Sequence, residues 1–252
     1  AVPSHFFRRV IRSLKQYDLQ GKIILSVTKG IESSTLMRMS EVIEDELGKV
    51  KLAVLSGPTI AKEVAMGIPT TAVIASRDLK IAKKLQQIFN NGNFRVYTNS
   101  DLIGVELGGS LKNVIAIACG VSDGLGFGTN TKAAILSRGL TEMSRLGKVL
   151  GAKGNTFSGI SGLGDLVTTC ISPFSRNRFV GEQLGKGKSL KEILKKMQMI
   201  AEGVETAKSV YKLSNKYKVS MPITLEVYNI LYRNKNPKIA VQDLMRRKLK
   251  AE

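Results

Sequence analysis

The residue types best suited to chemistry in this 252-residue sequence stand in a mostly apolar stretch from Glu106 to Gly128. The stretch is typical of one long helix that ends in a glycine-rich turn. Lys112 falls near the centre of a helix face of small residues, namely Gly108, Gly109, Ala116, Cys119 and Gly120. The opposite face carries larger apolar side chains, and we expect it to pack against a core. Two interpretations of Lys112 stay open: it borders a tight helix–helix contact, or it stands at the wall of a ligand-filled cleft.

Other kinds of catalytic and metal site are disfavoured by the composition. His5 is the only histidine and no nucleophile motif accompanies it, so acid–base chemistry would fall to a lysine or a carboxylate. Cys119 and Cys170 are the only cysteines, and they lack the spacing of metal ligands. Two such cysteines suit a reducing compartment and argue against a disulfide scaffold, and we expect no metal.

A second group of polar residues lies between Ser158 and Asn177. Three glycines precede Asp165, and Thr169 follows it by four residues, on the same helix face. Arg176 stands in the first turn of the next predicted helix, where an anion can bind. The alternative is that Asp165 caps a helix and that Arg176 pairs with a surface acid.

Two strand ends complete the candidate residues. Lys29 with Gly30, and Gly57 with Pro58 and Thr59, follow predicted strands. Open α/β sheets bind ligands at the carboxyl ends of their strands. Taken alone, either segment is equally well explained as an ordinary turn, because glycine and proline favour turns.

The elements that must position these residues divide the chain into two parts. Up to about residue 100, strands alternate with helices, which predicts an α/β sheet. The predicted strands are 22–28, 52–55, 71–75 and 94–97, and the predicted helices are 5–16 (with Ser4 as N-cap), 35–46, 60–66 and 78–90. Beyond that point only helices are predicted: 102–122, 130–149, 161–170, 174–185, 189–197, 203–217, 222–233 and 237–247. We therefore expect an α/β domain over 1–101 and an all-α domain over 102–252.

Charge and hydropathy limit the partners. The net charge is +19, but the basic residues alternate with apolar core positions and aromatic residues are few, so we expect no nucleic-acid partner. We expect no membrane insertion, because no uninterrupted apolar run reaches the length of a membrane span. The longest nearly uncharged stretch is the Lys112 helix, which the lysine and its glycines break. No signal peptide pattern is recognisable, and we expect a cytoplasmic protein.

Five motifs, in register along the chain, closely resemble the NAD(P)-dependent glycerol-3-phosphate dehydrogenases of bacterial type. They are Val105 to Val114, Gly124 to Gly128, Gly162 to Leu166, Ser172 to Arg178, and Ala201 to Val204. The resemblance implies a Rossmann-like domain for NAD or NADP and a helical domain for substrate binding and dimerisation. It implies an enzyme that interconverts dihydroxyacetone phosphate and sn-glycerol 3-phosphate, that supplies the latter for phospholipid synthesis, and that forms a homodimer.

The resemblance also implies roles for individual residues. Lys112 matches the catalytic lysine, and Lys29 and Asp165 match residues that act beside it. The implied substrate contacts are Lys29, Gly57, Thr59, Lys112, Asn113, Asp165, Thr169, Ser175, Arg176 and Asn177. The implied cofactor contacts are Lys29, Ala61, Arg176, Ile200 and Glu202.

One feature departs from the family. Its members begin with a strand, a G-x-G-x-x-G turn and a helix, which hold the pyrophosphate of the cofactor, and this sequence contains no such motif. The resemblance implies that this sequence starts roughly 80 residues later than the members of the family do, so we expect the Rossmann-like domain to be incomplete. The alternative to an active enzyme is an inactive, truncated remnant that keeps the substrate and dimer domain.

Overall fold

The computed structural model describes residues 1–197 and 200–249. The first part contains a four-stranded sheet with helices, as predicted. Its strands are β1 (Ile23–Ser26), β2 (Lys51–Ser56), β3 (Thr70–Ala75) and β4 (Phe94–Asn99). Its helices are α1 (Ser4–Ser13), α2 (Met39–Leu47), α3 (Ala61–Ala65) and α4 (Leu79–Phe89).

Two details of the first part differ from the sequence prediction. Ser4 is the first residue of α1 rather than its N-cap, and the cap position is taken by Pro3 without a side-chain bond. The hydroxyl of Ser4 binds Glu202 instead. The helix predicted from residue 35 begins at Met39, because Leu36 adopts a positive φ of 65° in a turn that a bridge between Ile31 and Arg38 closes.

The strands follow one another in the sheet in the order β1-β2-β3-β4. β1 and β2 are parallel, β3 and β4 are parallel, and β2 and β3 are antiparallel. Between β2 and β3 the chain forms only the five-residue helix α3 before it turns back along β2. Within the described residues β1 pairs with β2 alone, so the other edge of β1 carries no strand.

The second part is helical, with bounds within a few residues of those predicted. Its helices are α5 (Leu102–Gly124), α6 (Thr129–Val149), α7 (Asp165–Ile171), α8 (Arg176–Gly185), α9 (Leu190–Lys196), α10 (Glu202–Lys216), α11 (Pro222–Arg233) and α12 (Pro237–Met245). A short π-helical turn, Ile160–Gly164, leads into α7. Proline occupies the first position of α11 and α12. The N–H that proline lacks would have no partner within the helix at that position.

Helix α5 is the centre of the molecule. Its 23 residues, with a mean hydropathy of 1.5 over an 18-residue window, are long and apolar enough to cross a membrane, so the expectation that Lys112 and the glycines break this run was wrong. The window is 89% buried inside the protein, which is the property of a core helix. Both faces of α5 are buried, so the face of larger apolar residues packs against a core as expected, and the face of small residues is covered as well.

The small residues of α5 serve two different purposes. Towards its C-terminus they allow α8 to approach: a Cβ on Gly120 would lie 2.0 Å from the carbonyl oxygen of Arg178, and one on Gly181 would lie 2.0 Å from that of Ile117. A tight helix–helix contact therefore explains this end of α5. Nearer Lys112, a Cβ on Gly109 would lie 2.5 Å from Ser56 Oγ and 3.3 Å from Cγ of Lys29, so the glycine admits polar side chains of the sheet domain.

The first turn of α5 also completes the core of the sheet. Leu102 and Val105 pack with Val54 of β2 and Val73 of β3 in one buried cluster. Glu106 forms a buried ion pair with Arg38, at 2.6 Å. The domain boundary at residue 101 stays a prediction, because the start of α5 packs with both parts.

Candidate active site

Three charged side chains from distant parts of the chain meet in a buried cluster. The Asp165 carboxylate, at the start of α7, lies 3.0 Å from Lys112 Nζ through Oδ1 and 2.7 Å from Lys29 Nζ through Oδ2. Asp165 and Lys112 are buried, whereas the Lys29 side chain is 21% exposed. The cluster therefore opens towards solvent on the Lys29 side.

Lys29 connects the two strand ends that the sequence singled out. Its ammonium donates to the carbonyl oxygen of Gly57 at 2.8 Å. Gly57 has a φ of 143°, and a Cβ there would lie 3.1 Å from backbone atoms of Thr71 and Ala72. Glycine is therefore required for this loop to lie against β3 while its carbonyl points at Lys29. Thr59 Oγ1 donates to the same carbonyl at 3.2 Å.

The ammonium of Lys112 has a second partner besides Asp165. It donates to Thr169 Oγ1 at 2.5 Å, and that hydroxyl donates to the main-chain oxygen of Asp165 at 2.7 Å. Burial lowers the pKa of Lys112 to about 8, and the charge of Lys29 acts in the same direction, while Asp165 opposes both. A lysine with this pKa can give or take a proton near neutral pH.

The two asparagines of the candidate site bind each other. Asn177 Nδ2 donates to Asn113 Oδ1 at 2.9 Å, and Asn177 Oδ1 accepts from the Gly203 N–H at 2.8 Å. Both side chains are buried. These hydrogen bonds join α5, α8 and α10 beside Lys112. The two asparagines therefore hold the helices together with some of their polar atoms.

At the start of α8, Arg176 lies in the first turn, as predicted. Ser175 Oγ caps the helix by accepting from the Arg178 N–H at 3.2 Å. Arg176 is exposed and donates to the carbonyl oxygen of Ile200 at 2.9 Å. Among the described residues Arg176 pairs with no carboxylate, and Asp165 binds two lysines rather than capping a helix, so the alternative interpretations of both residues were wrong.

The remaining candidate residues are Ala61, Ile200 and Glu202. Ala61 is exposed in the segment after Gly57, and Ile200 is 37% exposed next to Arg176. Glu202 accepts hydrogen bonds from the Ser4 N–H at 3.0 Å and from Ser4 Oγ at 2.5 Å. A Cβ on Gly30 would lie 2.5 Å from Ser4 Cβ and 3.3 Å from Glu202 Oε2, which places the Lys29 loop beside both.

Sequence analysis missed two residues at this site. The pattern Pro3-Ser4 predicted a helix cap, whereas Ser4 holds Glu202, which is 198 positions away. Ser56 is buried next to Gly109, and its hydroxyl has no hydrogen-bond partner among the residues that the structure describes. The position of Ser56 at the carboxyl end of β2 could have identified it from the sequence, because ligands bind at that end of the strands.

An α/β part whose strand ends meet a helical part that supplies a buried lysine is the arrangement expected of a nicotinamide-dependent dehydrogenase. The comparisons with known proteins agree. Residues 1–82 match the family model described as NAD-dependent glycerol-3-phosphate dehydrogenase N-terminus, and residues 101–242 match the corresponding C-terminus. The chain belongs to this family.

Individual relatives and solved structures are similar over nearly all of the chain. The chain is 53% identical over 252 residues to a glycerol-3-phosphate dehydrogenase (NAD(P)+) of Thermoanaerobacter sp. (strain X514), covering 100% of this chain and 76% of the relative. A crystal structure of glycerol-3-phosphate dehydrogenase from Coxiella burnetii is 43% identical with a TM-score of 0.94, over 98% of this chain and 75% of that one. The Saccharomyces cerevisiae enzyme is 29% identical with a TM-score of 0.85, over 98% and 74%.

Proposed function

We propose that the protein interconverts dihydroxyacetone phosphate and sn-glycerol 3-phosphate with NAD(P)H, and that Lys112 is its acid–base group. The observation that carries the proposal is the buried cluster in which Asp165 lies between Lys112 and Lys29. Reduction of a ketone needs a hydride at carbon and a proton at oxygen. The nicotinamide supplies the hydride when it is bound, and this chain supplies the proton.

In this proposal Lys112 donates its proton to the C2 oxygen of the ketone as the alcohol forms. A pKa of about 8 leaves most of the lysine protonated at neutral pH but ready to release the proton. Lys29, on the exposed side, contacts substrate and cofactor and keeps the pKa of Lys112 low. Asp165 and Thr169 hold the ammonium of Lys112 in one place.

The phosphate end of the substrate would bind at the start of α8. The free N–H groups of a helix N-terminus and an arginine both suit a dianion. Arg176 is exposed there, next to Ser175 and Asn177. Gly57, Thr59 and Asn113 would contact the rest of the substrate, because they adjoin Lys29 and Lys112.

The residues present fit the nicotinamide end of NAD or NADP. In this proposal Lys29, Ala61, Arg176, Ile200 and Glu202 surround the nicotinamide. Arg176 binds the carbonyl oxygen of Ile200, and the glycine at position 30 lets Glu202 approach the loop that carries Lys29. These residues would bind and orient the nicotinamide. The sequence holds no G-x-G-x-x-G turn for the pyrophosphate.

We extend the proposal to the setting of the reaction. A homodimer through the helical domain is supported by its exposed apolar side chains, including Ile171, Phe179 and Ile239. Phospholipid synthesis would use the glycerol 3-phosphate.

A cytoplasmic location agrees with two free, buried cysteines. The sheet domain over 1–101 would bind the cofactor, and 102–252 would bind the substrate.

The test is Lys112→Met, measured by NADH oxidation with dihydroxyacetone phosphate. We expect turnover to fall by more than ~100-fold, because the acid–base group is lost. Lys84→Met, on the exposed face of α4, makes the same change of charge away from the site and should keep normal turnover. Near-normal turnover of Lys112→Met would contradict the role. Glycerol 3-phosphate binding without turnover in the unmodified protein would instead favour the non-catalytic remnant.

A further inference from the structure

A contact between Lys62 and Phe174 joins two segments that carry candidate site residues, and we call the surface at this contact the mouth of the site. The ammonium of Lys62 lies 5.0 Å from the centroid of the Phe174 ring, within the range of a cation–π interaction. Lys62 belongs to α3 in the sheet domain, and Phe174 precedes α8 in the helical domain. Both side chains are largely exposed, so the contact lies at the surface rather than in the core.

The two segments that carry this contact also carry proposed substrate residues. Lys62 follows Thr59 and Ala61, and Phe174 directly precedes Ser175 and Arg176. The backbone at Phe174 belongs to a tight turn, in which the Phe174 N–H donates to Ser172 Oγ at 3.1 Å. The contact therefore places a positive charge of the sheet domain opposite the segment that would bind the phosphate.

Lys62 has no stronger partner in the described part of the chain. Among those residues its ammonium forms no ion pair with a carboxylate, and the group that it contacts is the ring of Phe174. A cation–π interaction at an exposed site is weaker than a charge-assisted hydrogen bond to a phosphate oxygen. A phosphate at the start of α8 would therefore take the ammonium from the ring.

We propose that Lys62 is a further substrate-binding residue, which is held at the mouth by Phe174 and joins Arg176 on the phosphate when the substrate enters. The inference rests on the proposed function. Lys62 would also bring the sheet and helical domains together around the substrate, because its α3 segment and α8 would then share one anion. Phe174 acts through Lys62, as a positioning residue.

The test compares Lys62→Met with Lys84→Met, which removes an exposed lysine of the same sheet domain far from the mouth. Binding of sn-glycerol 3-phosphate is measured by calorimetry, and the Michaelis constant and turnover are measured with dihydroxyacetone phosphate. We expect Lys62→Met to weaken binding and to raise the Michaelis constant about 10- to 100-fold, the size of one charge-assisted contact, with turnover nearly unchanged. Lys62→Arg should restore most of the affinity, and Lys84→Met should leave it unchanged.

Phe174→Leu supplies the second measurement. It should weaken binding less than Lys62→Met, and the double variant should bind no more weakly than Lys62→Met alone, since the ring acts through the lysine. Unchanged affinity in Lys62→Met, or equal losses in Lys62→Met and Lys84→Met, would overturn the inference and leave the proposed function intact. Loss of glycerol 3-phosphate binding in the unmodified protein would overturn both.

Discussion

Asp165 lies between two ammonium groups, so the pKa of Lys112 depends on a balance of neighbours. Burial and Lys29 lower that pKa, and Asp165 raises it. The reduction of a ketone uses the protonated lysine, whereas the oxidation of an alcohol uses the neutral one. We therefore expect the rate of reduction to fall as the pH rises through about 8, and the rate of oxidation to rise over the same interval.

Two substitutions should move this pH dependence in opposite directions. Asp165→Asn removes the group that raises the pKa of Lys112, so the midpoint should move to lower pH. Lys29→Met removes a positive neighbour that lowers the pKa, so the midpoint should move to higher pH. The measurement is the pH profile of residual turnover in each variant. Shifts in the same direction would show that Lys112 does not control the profile.

Single residues also show where sequence analysis stops. The spacing of Asp165 and Thr169 indicated that they share a helix face, and Thr169 indeed binds the main chain of Asp165. The bond between Ser4 and Glu202 could not be predicted, because a local pattern at Pro3-Ser4 has a sufficient local explanation as a helix cap. The tertiary contact with Glu202, rather than the local role of a helix cap, determines what the Ser4 hydroxyl binds.

The helices α5 and α8 lie against each other through glycines on both sides. Gly120 and Gly181 each face a carbonyl oxygen of the other helix, where a Cβ would lie 2.0 Å away. Backbone atoms on both sides leave little room for adjustment. The glycines of α5 were visible in the sequence, but the helix that they face was not, since periodicity gives no information on partners.

Gly120→Ala tests this contact. Alanine raises helix propensity by ~1 kcal/mol, but the collision should outweigh it and leave a net loss of about 1–3 kcal/mol in the free energy of unfolding. Gly92→Ala is the control, since a Cβ there meets open space, and it should change stability by less than about 1 kcal/mol. Chemical denaturation measures both. An unchanged or raised stability of Gly120→Ala would show that the helices separate easily.

At the scale of the whole molecule, a buried network joins the sheet domain to the helical domain. Glu106 of α5 accepts from Arg38 at 2.6 Å, from the Ser40 N–H at 2.8 Å and from Ser40 Oγ at 2.5 Å. The order of elements along the chain was predictable, because hydrophobic periodicity is local. The antiparallel pairing of β2 and β3 and this network were not, because both depend on how distant segments meet.

Glu106→Gln should destabilise the protein strongly. The variant leaves the charge of Arg38 buried with one partner fewer, which typically costs about 3–5 kcal/mol. Glu41→Gln removes the other carboxylate that binds Arg38, but Glu41 is 40% exposed, so the loss should stay below about 1 kcal/mol. The free energy of unfolding in urea distinguishes them. Equal effects of the two substitutions would show that the buried pair does not hold the domains together.

The burial of α5 has a consequence for synthesis on the ribosome. The helix packs against α8, whose last residue, Gly185, is translated 61 positions after Gly124. At about 5–20 residues per second, this interval lasts several seconds. During that time a helix apolar enough to cross a membrane has not yet met its main partner. Nascent chains of this protein should therefore bind chaperones until α8 emerges, and release should follow the completion of α8 rather than that of the sheet.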